Sequence, residues 1–187
     1  MDLLELNRSA LDLNLELWAE VGEDRLDLDT PCGGWTVYEL MRHQVETTLS
    51  FTAAALETGP IEPASDDMLT AYRMAADAAT EAFRADGFLD RTATFPGYGP
   101  RRGKDLVAAH FVDNLVHAWD LRRALGVDAT LDPDLADAAH RMALRYPDTP
   151  DVRGPGAAFA HPVPVPEDAP VTDRLVALLG RSPTWPA

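Results

Sequence analysis

The chain has 187 residues, 46% of them hydrophobic, enough to bury one domain and too many for disorder. Its 31 acidic residues against 16 basic give a net charge of -15, which repels phosphate backbones and leaves no basic stripe for nucleic acid or anionic lipid. Met-Asp-Leu-Leu-Glu at the start is no signal segment, and no stretch approaches ~18 uninterrupted apolar residues, so a cytoplasmic protein without a membrane span is expected. A lone cysteine, Cys32, cannot form an internal disulfide, which fits a reducing compartment.

The first segment carries two periods. Leu11, Leu13, Leu15 and Leu17 alternate as in a strand, whereas Leu4, Leu11, Leu15 and Trp18 share a helical lane. The Leu, Glu and Ala composition favours a helix, stopped by Gly22. Cys32 follows in Thr-Pro-Cys-Gly-Gly-Trp, as a small apolar filler or as a thiolate favoured by the helix N-terminus that comes next.

Thr36 followed by Glu39 is a capping box, so a second helix begins at about residue 36. His43 lies two turns in, on a lane with Leu40, Thr47 and Ala54 that is less polar than the lane of Arg42, Glu46 and Glu57. Its spacing suits a core or rim histidine as well as a ligand. Pro60 and Pro63 break the chain, and Asp66 to Arg84 reads as a third helix with Leu69, Met74, Ala78 and Phe83 available for burial. Asp86 to Arg102, with three glycines and two prolines, reads as a loop with one short extended piece at Thr92 to Phe95.

A long helix then runs from about Lys104 to Leu125, with Gly126 as its C-cap. Its lane Leu106, His110, Asp113, His117, Leu121, Ala124 is apolar at both ends and ionisable in the middle. Asp113 and His117, four apart, share a face, and burying such groups without a partner costs several kcal/mol. A divalent metal is one partner that suits them, with His43 available as a third ligand. Asp132-Pro133 opens a fifth helix through Leu135, Ala139, Met142 and Tyr146. Residues 147–170, rich in proline and glycine, suggest an extended strap, and Thr172 to Gly180 a short last helix. The expected organisation is a helical bundle over residues 1–147 with the strap and last helix, 148–187, packed on the same domain.

Three blocks in order, Thr-Pro-Cys-Gly-Gly-Trp-Thr-Val before His43, Asp-Asn-Leu-Val-His-Ala-Trp-Asp-Leu, and Pro-Val-Pro-Val-Pro-Glu-Asp-Ala-Pro with Asp-Arg-Leu-Val-Ala-Leu-Leu-Gly-Arg, resemble the actinobacterial maleylpyruvate isomerase family of metal-binding proteins. These belong to the DinB-like superfamily of four-helix bundles. The resemblance implies an all-α fold and a divalent metal, usually zinc, held by His43, Asp113 and His117. Nickel, iron and manganese also suit two imidazoles and a carboxylate. Three protein ligands leave a position open for water or substrate.

The chain departs from the family in two ways. Relatives often carry glutamate where this chain has the shorter Asp113, and the characterised isomerase has a further C-terminal domain that the roughly sixty residues after Gly126 do not resemble. Around the ligands, His110 is a candidate for supporting them or for plain core packing, and Asp120 for orienting a ligand imidazole or pairing with Arg123. Arg42, Arg101 and Arg102 are candidate carboxylate contacts, or solvated charges. The resemblance points to a metal-dependent transferase or isomerase using a thiol of the mycothiol kind on a small electrophile. The alternative is a metal- or ligand-binding module without turnover. The sequence leaves the oligomeric state open, a homodimer included.

Overall fold

The computed structural model describes residues 1–150 and 152–186; Asp151 and Ala187, in the predicted strap and tail, lie outside the described residues. Six helices dominate: α1 (Leu3–Ala19), α2 (Val37–Leu56), α3 (Met68–Arg84), α4 (Gly103–Leu125), α5 (Pro133–Ala143) and α6 (Val171–Leu178). An antiparallel hairpin of β1 (Thr92–Phe95) and β2 (Gly99–Arg102) sits between α3 and α4. Among the described residues no helix is long and apolar enough to cross a membrane.

Local chemistry starts and stops these helices. The Thr36 hydroxyl accepts from the Glu39 backbone N–H, while the Glu39 carboxylate accepts from the Thr36 N–H at 2.8 Å. Asp2 and Glu5 form the same box at the head of α1. Asp132 caps α5 ahead of Pro133, whose missing N–H costs nothing in the first turn. Gly126 closes α4 at a φ of 70°, a conformation glycine adopts without strain. At the other end of α4, a Cβ on Gly103 would stand 2.0 Å from the Phe88 carbonyl oxygen, so the helix begins where only glycine fits.

The four long helices pack in the cyclic order α1, α4, α2, α3, and α5 bridges α4 to α6. α4 is buried nearly all round, which explains why its sequence shows so little amphipathic contrast. On α1 the helical lane prevails: Leu11, Leu15 and Trp18 are buried, with Trp18 stacked on Tyr72 at 4.3 Å.

Two expectations need correction. On α3 the exposed face holds Met74 and Ala78, and burial falls instead on Ala71, Tyr72, Ala75, Ala76, Ala79, Ala82 and Phe83. Small side chains let α3 approach α1 and α2 closely, so alanine rather than the larger Met74 faces inward. The stretch expected as a loop with one extended piece is a paired hairpin, with Ala93 opposite Arg101 and Thr94 opposite Pro100. Pro100 donates no ladder hydrogen bond and is tolerated because a two-stranded sheet is all edge.

Among its described residues the strap has no long regular element, and it is tied down by backbone and side-chain hydrogen bonds. The Val163 N–H donates to the Ala177 carbonyl at 2.9 Å, and buried Arg153 donates to the Leu178 carbonyl at 2.7 Å. These bonds fasten the strap to α6, whose following residues turn back toward α4.

Candidate functional site

His43, Asp113 and His117 converge. One ligand atom from each falls within 4.8 Å of the other two, although some seventy residues separate His43 from the pair on α4. His117 Nε2 stands 3.5 Å from Asp113 Oδ1, and His43 Nε2 stands 4.0 Å from Asp113 Oδ2. Neither distance is a hydrogen bond. Asp113 Oδ2 is buried with no hydrogen-bond partner, an orphaned acceptor between two imidazoles. Such an atom costs free energy where it is, and a cation between the three groups would satisfy it. The side chains therefore fit a divalent ion.

The imidazole of His117 is held from behind. Its Nδ1 lies 2.9 Å from Asp120 Oδ2, which assigns the proton to Nδ1 in the neutral ring and leaves the Nε2 lone pair facing Asp113. Asp120 is fully buried, and it is held in turn by Arg181, whose Nε and terminal nitrogen donate to its two oxygens at 3.3 and 3.0 Å. The expected alternative partner, Arg123, instead donates to the Trp185 carbonyl. Arg181 comes from the turn after α6, so the C-terminal segment reaches the ligand cluster through one ion pair.

His110 does not support the trio. Its Nδ1 pairs with Asn7 Oδ1 at 2.8 Å and its Nε2 with Thr48 Oγ1 at 3.2 Å, so both nitrogens are engaged inside the bundle. The reason is helical geometry: positions 110 and 113 are three apart, about 300° of rotation, which turns His110 toward α1 while Asp113 faces the open side. On that open side α4 presents Leu106, Ala109, Asp113 and His117 rather than the lane through His110.

Electrostatics separates the three histidines. Burial pushes His43 down to about 4, with the opposing pull of Asp113 too weak to restore it. Burial likewise lowers His110 to about 4. Burial also works against the His117 imidazolium, yet Asp113 and Asp120 together outweigh it and carry the ring up to about 9. Asp113 is opposed by burial but is held well below the usual carboxylate range by His117 first and then His43.

The trio opens on a cavity of about 1070 Å³. Cys32 and Trp35 reach its wall because the Thr30 hydroxyl organises the loop before α2, accepting from the Cys32 N–H and donating within the turn. Trp35 tilts against His43 with ring centroids 4.6 Å apart. The Cys32 sulfur lies 3.6 Å from Arg181, and Cys32, His117 and Asp120 form a second close group. Burial raises the Cys32 thiol to about 11 despite Arg181, so it is a protonated wall group rather than the thiolate that a helix N-terminus favours. Of the arginines expected as carboxylate contacts, Arg101 lines the cavity, Arg42 pairs with Glu46, and Arg102 pairs with Asp90. Arg145 and Arg181 also line it and were not anticipated. Arg181 ends the quoted block Asp-Arg-Leu-Val-Ala-Leu-Leu-Gly-Arg, a signal that marked the segment without giving the residue a task.

Two uncharacterized proteins of Mycobacterium tuberculosis, from strains CDC 1551 and H37Rv, are each 37% identical over 184 residues, covering 97% of this chain and 99% of theirs. No solved structure matches significantly. The family model of the mycothiol maleylpyruvate isomerase N-terminal domain matches residues 8–122, a span that contains His43, Asp113, His117 and Asp120 and stops short of Arg181. That match covers well over half of the chain, which therefore belongs to the mycothiol maleylpyruvate isomerase N-terminal domain family.

Proposed function

We propose that the chain is a divalent-metal-binding protein of the DinB-like bundle type, with zinc the favoured ion and His43, Asp113 and His117 its ligands. It would serve as a metal-dependent S-transferase or isomerase that uses a thiol of the mycothiol kind on a small electrophile. The observation that carries the reading is the orphaned Asp113 Oδ2 between two imidazoles at the edge of a large cavity. The family's description supports the thiol.

An ion in that position would lower the pKa of a thiol presented to it, making the sulfur nucleophilic at neutral pH. The chain's own residues do the rest. Asp120 and Arg181 fix the His117 ring so that Nε2 is the ligand atom. His43, neutral at physiological pH, is ready to coordinate without first losing a proton. Trp35 walls the ligands off on one side and reduces competition from water. In the reaction the S–H bond breaks and its proton leaves to solvent. The sulfur then forms a bond to the electrophilic carbon, whose displaced electron pair departs with a leaving group or takes up a proton.

The test combines elemental analysis of purified protein with thiol consumption. Metal-loaded protein should accelerate reaction of mycothiol with a soft electrophile at pH 7, and His43→Ala should remove the acceleration. Cys32→Ser should retain it. Metal-loaded protein that binds the thiol yet never outpaces free zinc, over a panel including maleylpyruvate and epoxides, would mark a binding module.

A further inference from the structure

The cavity beside the ligand trio has a polarity gradient that thiol activation alone does not use. Its floor is made of two helical stripes: His43, Thr47 and Phe51 on α2, and His117, Asp113, Ala109 and Leu106 on α4. The ionisable ends of the two stripes meet at His43 and Asp113, and the apolar ends meet in one hydrophobic cluster that contains Phe51, Leu106 and the packed-on Ala109 and Phe95. His43 and Phe51 are eight positions apart on the helix, a rise of about 12 Å.

The hairpin closes the apolar end. Phe95 tilts on Phe51 with centroids 4.4 Å apart, and Tyr98 follows Phe95 at 5.8 Å. Arg101 and Asp105 border this end, exposed and opposite in sign, and Arg145 and Arg181 also line the cavity, but Phe51, Phe95, Leu106 and Ala109 themselves offer a ligand no donor. A carboxylate laid on those four side chains would be desolvated without a donor from them. An apolar body would lose nothing there. The cavity's 1070 Å³ exceeds the space that one small ligand ordinarily fills, which leaves room for a thiol and an electrophile together.

We infer that the electrophile this site accepts is an elongated, predominantly apolar molecule, its reactive head at the His43–Asp113–His117 end and an aromatic-sized tail on Phe51, Phe95, Leu106 and Ala109. The inference rests on the metal-dependent reading above, and it assigns the tail of the substrate rather than its head. Specificity then comes from the hairpin and the two stripes, and the trio supplies only the common chemistry.

Two hydroxamates that share a metal-binding head test it: acetohydroxamate, and 4-phenylbutyrohydroxamate, which adds the tail. Calorimetry on the full-length zinc-loaded protein should find the phenyl compound at least ~10-fold tighter, as burial of an aromatic ring requires. Phe51→Ala and Phe95→Ala should each remove most of that gain while leaving acetohydroxamate binding unchanged. Ala109→Leu, which fills the floor without opening the core, should do the same, and it decides the matter if truncation at Phe51 unfolds the protein. Equal affinities, or a gain that survives all three substitutions, would overturn the inference. If the loaded protein binds neither compound, the metal-centre reading fails. The tail site is then decided on metal-free protein with 4-phenyl-1-butanol, which must shift the ring resonances of Phe51 and Phe95; no shift overturns it.

Discussion

Two histidines seven residues apart on α4 are both buried, and their surroundings make them opposites. His110 sits between Asn7 and Thr48 with both ring nitrogens engaged, in a layer where the Asn14 amide donates to the Asn114 backbone carbonyl and Tyr72 donates to Asn114 Oδ1 at 2.6 Å. That layer has neutral partners, so burial decides and the ring stays uncharged. His117 has a carboxylate on each side, one of them orphaned on an oxygen, and charge overrides burial. The first cluster encloses its histidine, both ring nitrogens engaged although Asn14 Oδ1 has no partner, and the second is left open toward a cavity. A closed network specifies packing, whereas an open one is where a ligand is expected to complete the bonding.

The largest effects should come from breaking the support behind His117. Asp120→Ala leaves the Arg181 guanidinium buried without its partner, for a stability loss of about 3–5 kcal/mol in denaturant titration. The same change should weaken zinc binding about 10- to 100-fold. Preserved affinity would show that the ring is oriented by something other than Asp120.

Metal should stabilise the fold almost as much. A thousandfold excess of zinc over its dissociation constant adds about 4 kcal/mol, and a chain of this size should gain roughly 10 °C in melting temperature. His117→Ala should abolish the rise. Because His117 holds its proton up to about 9 in the metal-free protein, binding must expel that proton. Apparent affinity should therefore climb about tenfold per pH unit from 7 toward 9, with proton release visible in calorimetry. A flat profile would mean that His117 is not a ligand.

The closed layer should answer to acid instead. His110 ordinarily titrates at 6.5 and in the fold only at about 4, so between these values the unfolded chain binds the extra proton. Its contribution is complete above pH 6.5 and is lost as pH falls toward 4, with a slope of about 1.4 kcal/mol per pH unit and a total of about 3.5 kcal/mol. His110→Gln should flatten that part of the stability profile and leave zinc affinity unaltered. The smallest expected change is Thr48→Val, which removes the hydroxyl facing His110 Nε2 and should cost about 1 kcal/mol. An effect of Thr48→Val on zinc binding would mean that the two layers are coupled.

Much of the helical framework was legible because its signals are local. Capping boxes, Pro133 and Gly126 act within a turn of chain, and they set the ends of α2, α4 and α5 close to where the sequence suggests. The i, i+4 rule put Asp113 and His117 on one face without any knowledge of the neighbours. Position on a helix does not reveal which neighbour lies opposite, however. The lane that ran through His110 and Asp113 together was therefore misleading: a rotation of about 300° over three residues sends the first into the bundle and the second to the cavity.

The remaining features depend on segments far apart in the chain. Met74 faces out and Ala75 in where α3 packs on α1 and α2, and β1 pairs with β2 where the chain on either side is tied together, the Gly103 N–H donating to the Arg91 carbonyl and the Lys104 N–H to the Leu89 carbonyl. Arg181 meets Asp120 across 61 positions, and His43 meets Asp113 across seventy. By itself the sequence determined which helices form and which ionisable groups they carry, since those are properties of short windows. Only the tertiary structure decided which of those groups share a cavity, because long-range packing alone orients one helix face toward another.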